Sequence, residues 1–336
     1  METLNMQIKN PGPILAELVL SIQDFNDTEN IYLNANDANR ARATIQTDYQ
    51  KNIIGIKELA LPGFLKRLGI RSLSLNSQYD SMLLSELDII TSGENTGKHH
   101  WRDIKNDKLI AALQMLFKNC RTIAFGDWAN ASDASDIWTG LLTDVIKPLK
   151  KKDLDFIFYL GDPDKMIFFQ VDEILDIISD FSYAGKVTFF LDEHEAIKLW
   201  MVLNGEQGGA SSKTYAPDDL KRKYFSIFRT MSIYCLAIYS FTDVIVFTEE
   251  QQFVLARQKA NHNIELAEDA RDNFVAGYSS GLLMQLTIAH CIALGIAVFV
   301  TMGENKNSSS QKDLIAYLER WITDLDKPES SLLQQS

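Results

Sequence analysis

Cysteine is scarce in this chain: Cys120, Cys235 and Cys291 are the only three in 336 residues. They are too few and too widely spaced for a disulfide framework or a paired-thiolate zinc site, so a reducing cytoplasm is the expected setting. Positive charge is also short. The 33 Lys and Arg stand against 45 Asp and Glu, a formal net charge of −12. Binding to a phosphate backbone depends on Lys and Arg displacing counterions, so nucleic acid is disfavoured as a partner. No G-x-G-x-x-G follows an apolar run, which weakens dinucleotide binding of the usual type, and neither H-x-x-x-H nor H-E-x-x-H occurs. The N-terminus lacks a basic-then-apolar leader, and Glu17 interrupts "ILAELVL".

Hydrophobic residues make up 46% of the chain and charged ones 23%. That is the balance of a folded globular protein. One segment tests this: from Asn273 to Gly303 there is no Asp, Glu, Lys or Arg, and "LLMQLTIAHCIALGIAVFV" is long enough to span a bilayer. Gln285, Thr287 and His290 would be costly facing lipid, and Gly295 splits the run. The pattern predicts a buried helix followed by a buried strand, and a membrane span is disfavoured.

Along the chain, "GPILAELVLSIQDF" and "DANRARATIQTDYQKNI" read as helices, and "IRSLSLNS" and "LDIITSG" as strands. From Lys108 the rhythm becomes regular. "TIAFGD", "LDFIFYLGD" and "KVTFFLDE" are strands. They alternate with the helices "DKLIAALQMLFKN", "IWTGLLTDVIKPL" and "DEILDIISDFSYAG", the last closing on Gly185 as a left-handed stop. Further on, the sequence predicts a long helix from about Leu220 to Tyr239, the strand "TDVIVFTEE" and a helix from Glu249 to about His262. After these come the strand "NFVAGYSSG", a helix to Leu294, the strand "IAVFVT" and a final helix, "QKDLIAYLERWITDL". Near-continuous apolar strands alternating with helices indicate a Rossmann-like α/β fold: a mostly parallel sheet with helices on both faces and a helix-rich N-terminal elaboration. The expected division is 1–105 as that elaboration, 106–330 as the core and 331–336 as a disordered tail.

In a parallel sheet the C-terminal strand ends share one edge, where ligands bind. Asp127, Asp162, Asp192, Glu193, Glu249 and the Gly277–Gly281 turn are expected to gather there. Each acid taken singly is explained by helix capping or turn formation without any ligand; the set together argues for a site. "GYSSG" matches G-x-S-x-G, yet no histidine follows Ser279 except His290, inside the next helix, so a serine hydrolase is disfavoured. The same turn suits an anion better, with Gly277 and Gly281 flanking Ser279 and Ser280 at a helix N-terminus. "SGENTGKHHWRD" fails the phosphate-loop spacing but leaves Lys98, His99, His100 and Arg102 as a cationic cluster. "FLDEHEA" brings Asp192, Glu193, His194 and Glu195 together. Asp192 and His194, with Asp127 or Asp162, could converge on a metal ion, and hard oxygen ligands at a strand edge would suit Mg²⁺ as a cofactor. Trp128 and Trp138 flank the first acidic turn, where they would either stack a base or complete the core.

The series "TDVIVF", "NFVAGYSSG" and "IAVFV" resembles the nucleotide-binding half of two-lobed glycosyltransferases, and also nucleoside-processing Rossmann-like folds. That resemblance is one of fold. The leading expectation is a protein that binds a nucleotide or nucleotide-sugar and acts as a glycosyl or other group transferase. Ser279, Ser280 and Glu249 would hold the ligand, with Asp127, Asp162 or Asp192 as general base. The alternatives are a non-catalytic sensing or interaction module and a Mg²⁺-dependent phosphoesterase.

Overall fold

The computed structural model describes residues 6–25, 30–34, 57–60, 63–76, 100–126, 128, 133–161, 168–206, 216–240, 243–256, 268–305 and 310–325. Among the described residues ten strands form one sheet. They are β1 (Gln7–Lys9), β2 (Asn30–Asn34), β3 (Lys57–Ala60), β4 (Ile70–Asn76), β5 (Cys120–Phe125), β6 (Leu154–Phe158), β7 (Gly185–Asp192), β8 (Cys235–Tyr239), β9 (Asp243–Thr248) and β10 (Gln252–Ala256). Their order is β1-β10-β9-β8-β7-β6-β5-β4-β2-β3. The central four, β5 to β8, are mutually parallel. Following the pairings outward, only β4 and β9 run against the other strands. The fold is therefore Rossmann-like and mostly parallel, with helices on both faces. The first four strands enter the same sheet as the rest.

Because β5 to β8 follow one another without reversal, their crossover helices cover one face. These are Ala134–Gly140, which continues into π-helical and 3-10 turns to Leu149, then Phe168–Asp180, Glu193–Leu203 and Pro217–Thr230. Strand side chains alternate with period two, so each strand feeds two cores. Phe125, Phe156, Phe158, Val187, Phe189, Leu236 and Ile238 point to the crossover side. There Phe125 stacks on Phe158 at 5.0 Å, and Phe181 meets Phe158 edge-on at 5.0 Å.

The other face carries smaller residues at most positions, among them Ala124, Cys235 and Ala237. Against it lie the helices Pro11–Asp24, Glu268–Leu283, Ile288–Asn305 and Gln311–Leu325. Small strand side chains let these helices sit close. The two central ones also approach each other closely: a Cβ on Gly277 would lie 2.7 Å from Leu294 O and 2.8 Å from Gly295 Cα, and one on Gly281 would lie 2.8 Å from Cys291 Sγ. Only glycine fits such spacing. Tyr278, fully buried between them, meets Thr188 of β7 with a 3.0 Å hydroxyl contact.

Several expected elements are corrected. "NFVAGYSSG" is not a strand and turn but the interior of the helix Glu268–Leu283, and "IAVFVT" belongs to the helix Ile288–Asn305. Both are buried nearly all round, which removes the polar stripe that would have marked a helix. Among the described residues no helix is long and apolar enough to cross a membrane. The helix expected from Leu220 to Tyr239 stops at Thr230, and Cys235–Tyr239 is β8. The helix expected from Glu249 is β10, paired antiparallel with β9 through the turn after Thr248. Gly185 is not a left-handed stop: it opens β7, where a Cβ would collide with Leu154 O across the strand pair. The predicted elements at "DANRARATIQTDYQKNI" and "LDIITSG" lie outside the described residues.

The helix–helix contact gives a direct expectation. Gly277→Ala and Gly281→Ala each force backbone apart and should cost about 1–3 kcal/mol, although alanine favours an isolated helix. Denaturant unfolding reads this out. A stability equal to or above the parent would show that the two helices do not depend on the glycines.

Candidate functional site

The strand ends of β5 to β8 supply the site's floor. β7 extends past β6 to Asp192, which pairs with Tyr239 at the end of β8. Asp192 is also the N-cap of the helix Glu193–Leu203. Its Oδ1 accepts from the Glu195 N–H at 2.7 Å, and Glu195 Oε2 accepts from the Asp192 N–H at 2.9 Å. This reciprocal capping box satisfies two amides that a helix start leaves open and locks both carboxylates in place.

Arg271, in the first turn of Glu268–Leu283, reaches across to them. Its Nη2 donates to Glu195 Oε1 at 2.8 Å and to Asp192 Oδ2 at 3.4 Å, and its Nε donates to the Tyr239 hydroxyl at 2.9 Å. The guanidinium lies 5.4 Å from the ring centroid of Tyr159, which follows β6. The Tyr159 hydroxyl donates to Asp272 Oδ1 at 3.1 Å. Strand ends and helix start are thus tied by one cation, two tyrosines and three carboxylates.

Burial sets the electrostatics. Glu195 is 5% exposed, and this pushes its carboxyl up to about 7, with the Asp192 charge adding to the rise and Arg271 opposing it. Tyr239 and Tyr159 are driven well above the ordinary phenol range, chiefly by burial. Burial alone would lower Arg271, but Tyr239, Glu195 and Asp192 beside it more than offset this and hold it charged. A buried carboxyl that ionises near neutrality, beside a partly exposed one, can accept and return a proton.

The sequence-predicted residues fare unequally. Asp192 stands at the site. Asp127 and Asp162 lie outside the described residues, one position beyond Gly126 and Gly161. Glu249 is corrected: it follows Thr248, which pairs with Cys235 at the start of β8, so it sits on the opposite edge because β9 runs backwards. Gly277, Ser279, Ser280 and Gly281 form no turn and no cradle. Ser279 is 1% exposed and Ser280 3% exposed; the Ser280 hydroxyl donates to Ala276 O at 2.8 Å. Their place in mid-helix, under another helix, closes them to a ligand. Trp138 is buried and donates to Leu68 O at 3.1 Å, and Trp128 donates to Ser135 Oγ at 3.1 Å, so both complete the core. His194 is exposed, and His100 lies 3.6 Å from Asp133, while Lys98 and His99 are outside the described residues. Among the described residues no group of three or more His, Cys, Asp or Glu is placed to hold a metal ion. Arg271, Tyr239, Tyr159 and Asp272 were not among the expected site residues. The charge-dense stretch "ELAEDARDN" just before the long uncharged run is the signal that could have found the last helix start.

No protein-family model matches the chain, and no curated protein matches it. Solved structures do. A carbohydrate kinase from Agrobacterium tumefaciens shares 16% identity over 69% of this chain and 62% of its own, with a TM-score of 0.42. The Trypanosoma brucei brucei adenosine kinase shares 12% over 60% and 55%, at 0.43. An Arabidopsis thaliana ribokinase, solved with ribose and ATP, shares 11% over 64% and 59%, at 0.43. The chain thus spans less than two thirds of the length of each. The likeness is one of fold.

The Arg271 cluster should dominate local stability. Arg271→Met strands two carboxylates and is expected to cost about 3–5 kcal/mol. The raised Glu195 makes a second, signed expectation. Its folded value of about 7 lies above its ordinary 4.5, so its contribution is complete below the lower value and is lost as pH rises through the upper one. That loss is about 3 kcal/mol. Glu195→Gln should abolish this part of the pH dependence, measured as the difference in unfolding free energy between pH 5 and pH 8. An unchanged slope in the variant would contradict the assignment.

Proposed function

We propose that the chain binds a nucleotide or nucleotide-sugar at the C-terminal strand edge and transfers a group from it. The observation that carries this reading is the cluster of Asp192, Glu195 and Arg271 at the tip of β7, where Glu195 is held near neutrality by burial. In such a transfer the acceptor hydroxyl attacks the donor while a carboxylate takes its proton. Asp192 is the best-placed base among the described residues, being partly exposed while Glu195 is enclosed. Asp127 and Asp162 follow β5 and β6 and complete the proposed acidic set. Mg²⁺ is the cofactor this set would suit.

The phosphate cradle moves in this proposal from Ser279 and Ser280 to the first turn of the helix Glu268–Leu283. That end meets the strand edge through Arg271, and a helix start carries the positive end of the dipole. The fold supports a nucleotide-type small molecule as partner because ligands of such sheets collect at this edge. One observation favours a second reading. Arg271 already pairs with both Asp192 and Glu195, which suits a non-catalytic binder as well as an enzyme.

Asp192→Asn separates the possibilities, because asparagine caps a helix as well as aspartate does but cannot take the proton. Thermal-shift titration with ATP, ADP, UDP and GDP, each with and without Mg²⁺, should show stabilisation by at least one. Turnover of the binding nucleotide with sugar or nucleoside acceptors should fall by about a hundredfold or more in Asp192→Asn, with stability changed by less than about 1 kcal/mol. Binding without turnover in the parent would establish the non-catalytic reading. No shift with any nucleotide would overturn both.

A further inference from the structure

At the opposite edge of the sheet, where β5 and β6 begin, cations gather. Lys147, Lys150, Lys151 and Lys152, with Tyr183, line a cavity of about 330 Å³. Lys118, Arg121 and Lys151, with Gln285, line another of about 290 Å³. Lys151 borders both. Six cations therefore line these two hollows in a chain whose net charge is −12. The carboxylates they pair with are Asp153 and Asp155, held chiefly by Arg121 at 3.6 and 3.1 Å. The lysines remain in local excess.

The wall is held in shape by the lysines' own contacts. The Lys151 ammonium donates to Lys118 O and Cys120 O, and Lys152 donates to Tyr183 O. Lys150 closes the preceding helical turn in the left-handed region, at φ 53°. Lys147 and Lys150 are exposed on the rim. Beside them the Tyr183 ring is 68% exposed, with the Lys147 ammonium 5.9 Å from its centroid. Cavities of roughly 300 Å³ match small molecules rather than a duplex or a folded partner. The lysines border the first hollow mainly with their apolar stems, which leaves the exposed Lys147 and Lys150 ammonium groups at its rim; two such groups match an anion with several charges better than a single carboxylate.

We propose that this edge is a second binding site, distinct from the strand-end cluster, for a small polyanion carrying two or more phosphate groups. An inorganic polyphosphate and the polyphosphate tail of a nucleotide share that chemistry. The exposed Tyr183 face would favour the nucleotide by stacking its base.

Calorimetric titration of the full chain with inorganic tripolyphosphate, without Mg²⁺, tests this. Saturable binding that weakens with salt is expected. The double variant Lys147→Glu/Lys150→Glu should weaken it about tenfold or more, while Asp192→Asn leaves it unchanged; that contrast keeps this site separate from the proposed function. Both substitutions are at exposed positions, and an unchanged unfolding midpoint confirms that the fold persists. A parallel titration with ATP distinguishes the sources: tighter binding than tripolyphosphate, lost in Tyr183→Ala, identifies a nucleotide, and equal binding identifies an inorganic polyphosphate. No binding by the parent, equal binding by the double variant, or equally tight binding of double-stranded DNA at the same salt would overturn the proposal.

Discussion

The close approach of two helix backbones at Gly277, Gly281 and Gly295 is the constraint on which the candidate site depends. It lets the helix Glu268–Leu283 lie deep between the sheet and its neighbour, with Tyr278 buried against Thr188. The small side chains on that face of β5 and β8 complete the same fit. A helix seated this way begins at the strand ends, and its first turn delivers Arg271 and Asp272 there. The motif that looked like a ligand turn is therefore essential to the site from a distance: its glycines set where the helix lies, and other residues of that helix reach the edge.

At the edge, desolvation and charge pairing oppose each other. Burial resists ionisation of Glu195, while Arg271 and the capping box favour it. Removing the cation would leave the cost of the buried charges without their compensation, as is general for enclosed ion pairs. Asp192 and Glu195 lie at the tip of β7, while lysines lie where β5 and β6 begin. In an acidic chain the lysine-lined end offers the local field that an anion requires.

Much of the fold was legible where short apolar runs alternate with helices buried on one side. β5, β6 and β7 were found from their apolar runs, and the helices after them from capping and periodicity. Chain direction followed, and with it the position of Asp192. Legibility failed where a helix is buried all round. From Asn273 to Gly303 no polar stripe survives, so β-branched "IAVFV" reads as a strand although it lies in a helix. β8 was absorbed into the preceding helix because no glycine or proline separates Thr230 from Cys235. The β9–β10 turn, Glu249 to Gln251, likewise lacks the glycine or asparagine that announces a hairpin. That single omission placed Glu249 on the wrong edge. Arg271 belongs to no local motif: its partners lie 32 to 79 residues away and become visible only once the chain is folded.

The central claim is that ligand chemistry belongs to the strand-end edge beside Arg271. Hydrogen–deuterium exchange of the full chain with and without a bound nucleotide tests this most directly. The account predicts added protection at residues 192–195 and 268–272, with none at 249–251. Protection confined to 249–251, or spread evenly over the chain, would contradict it.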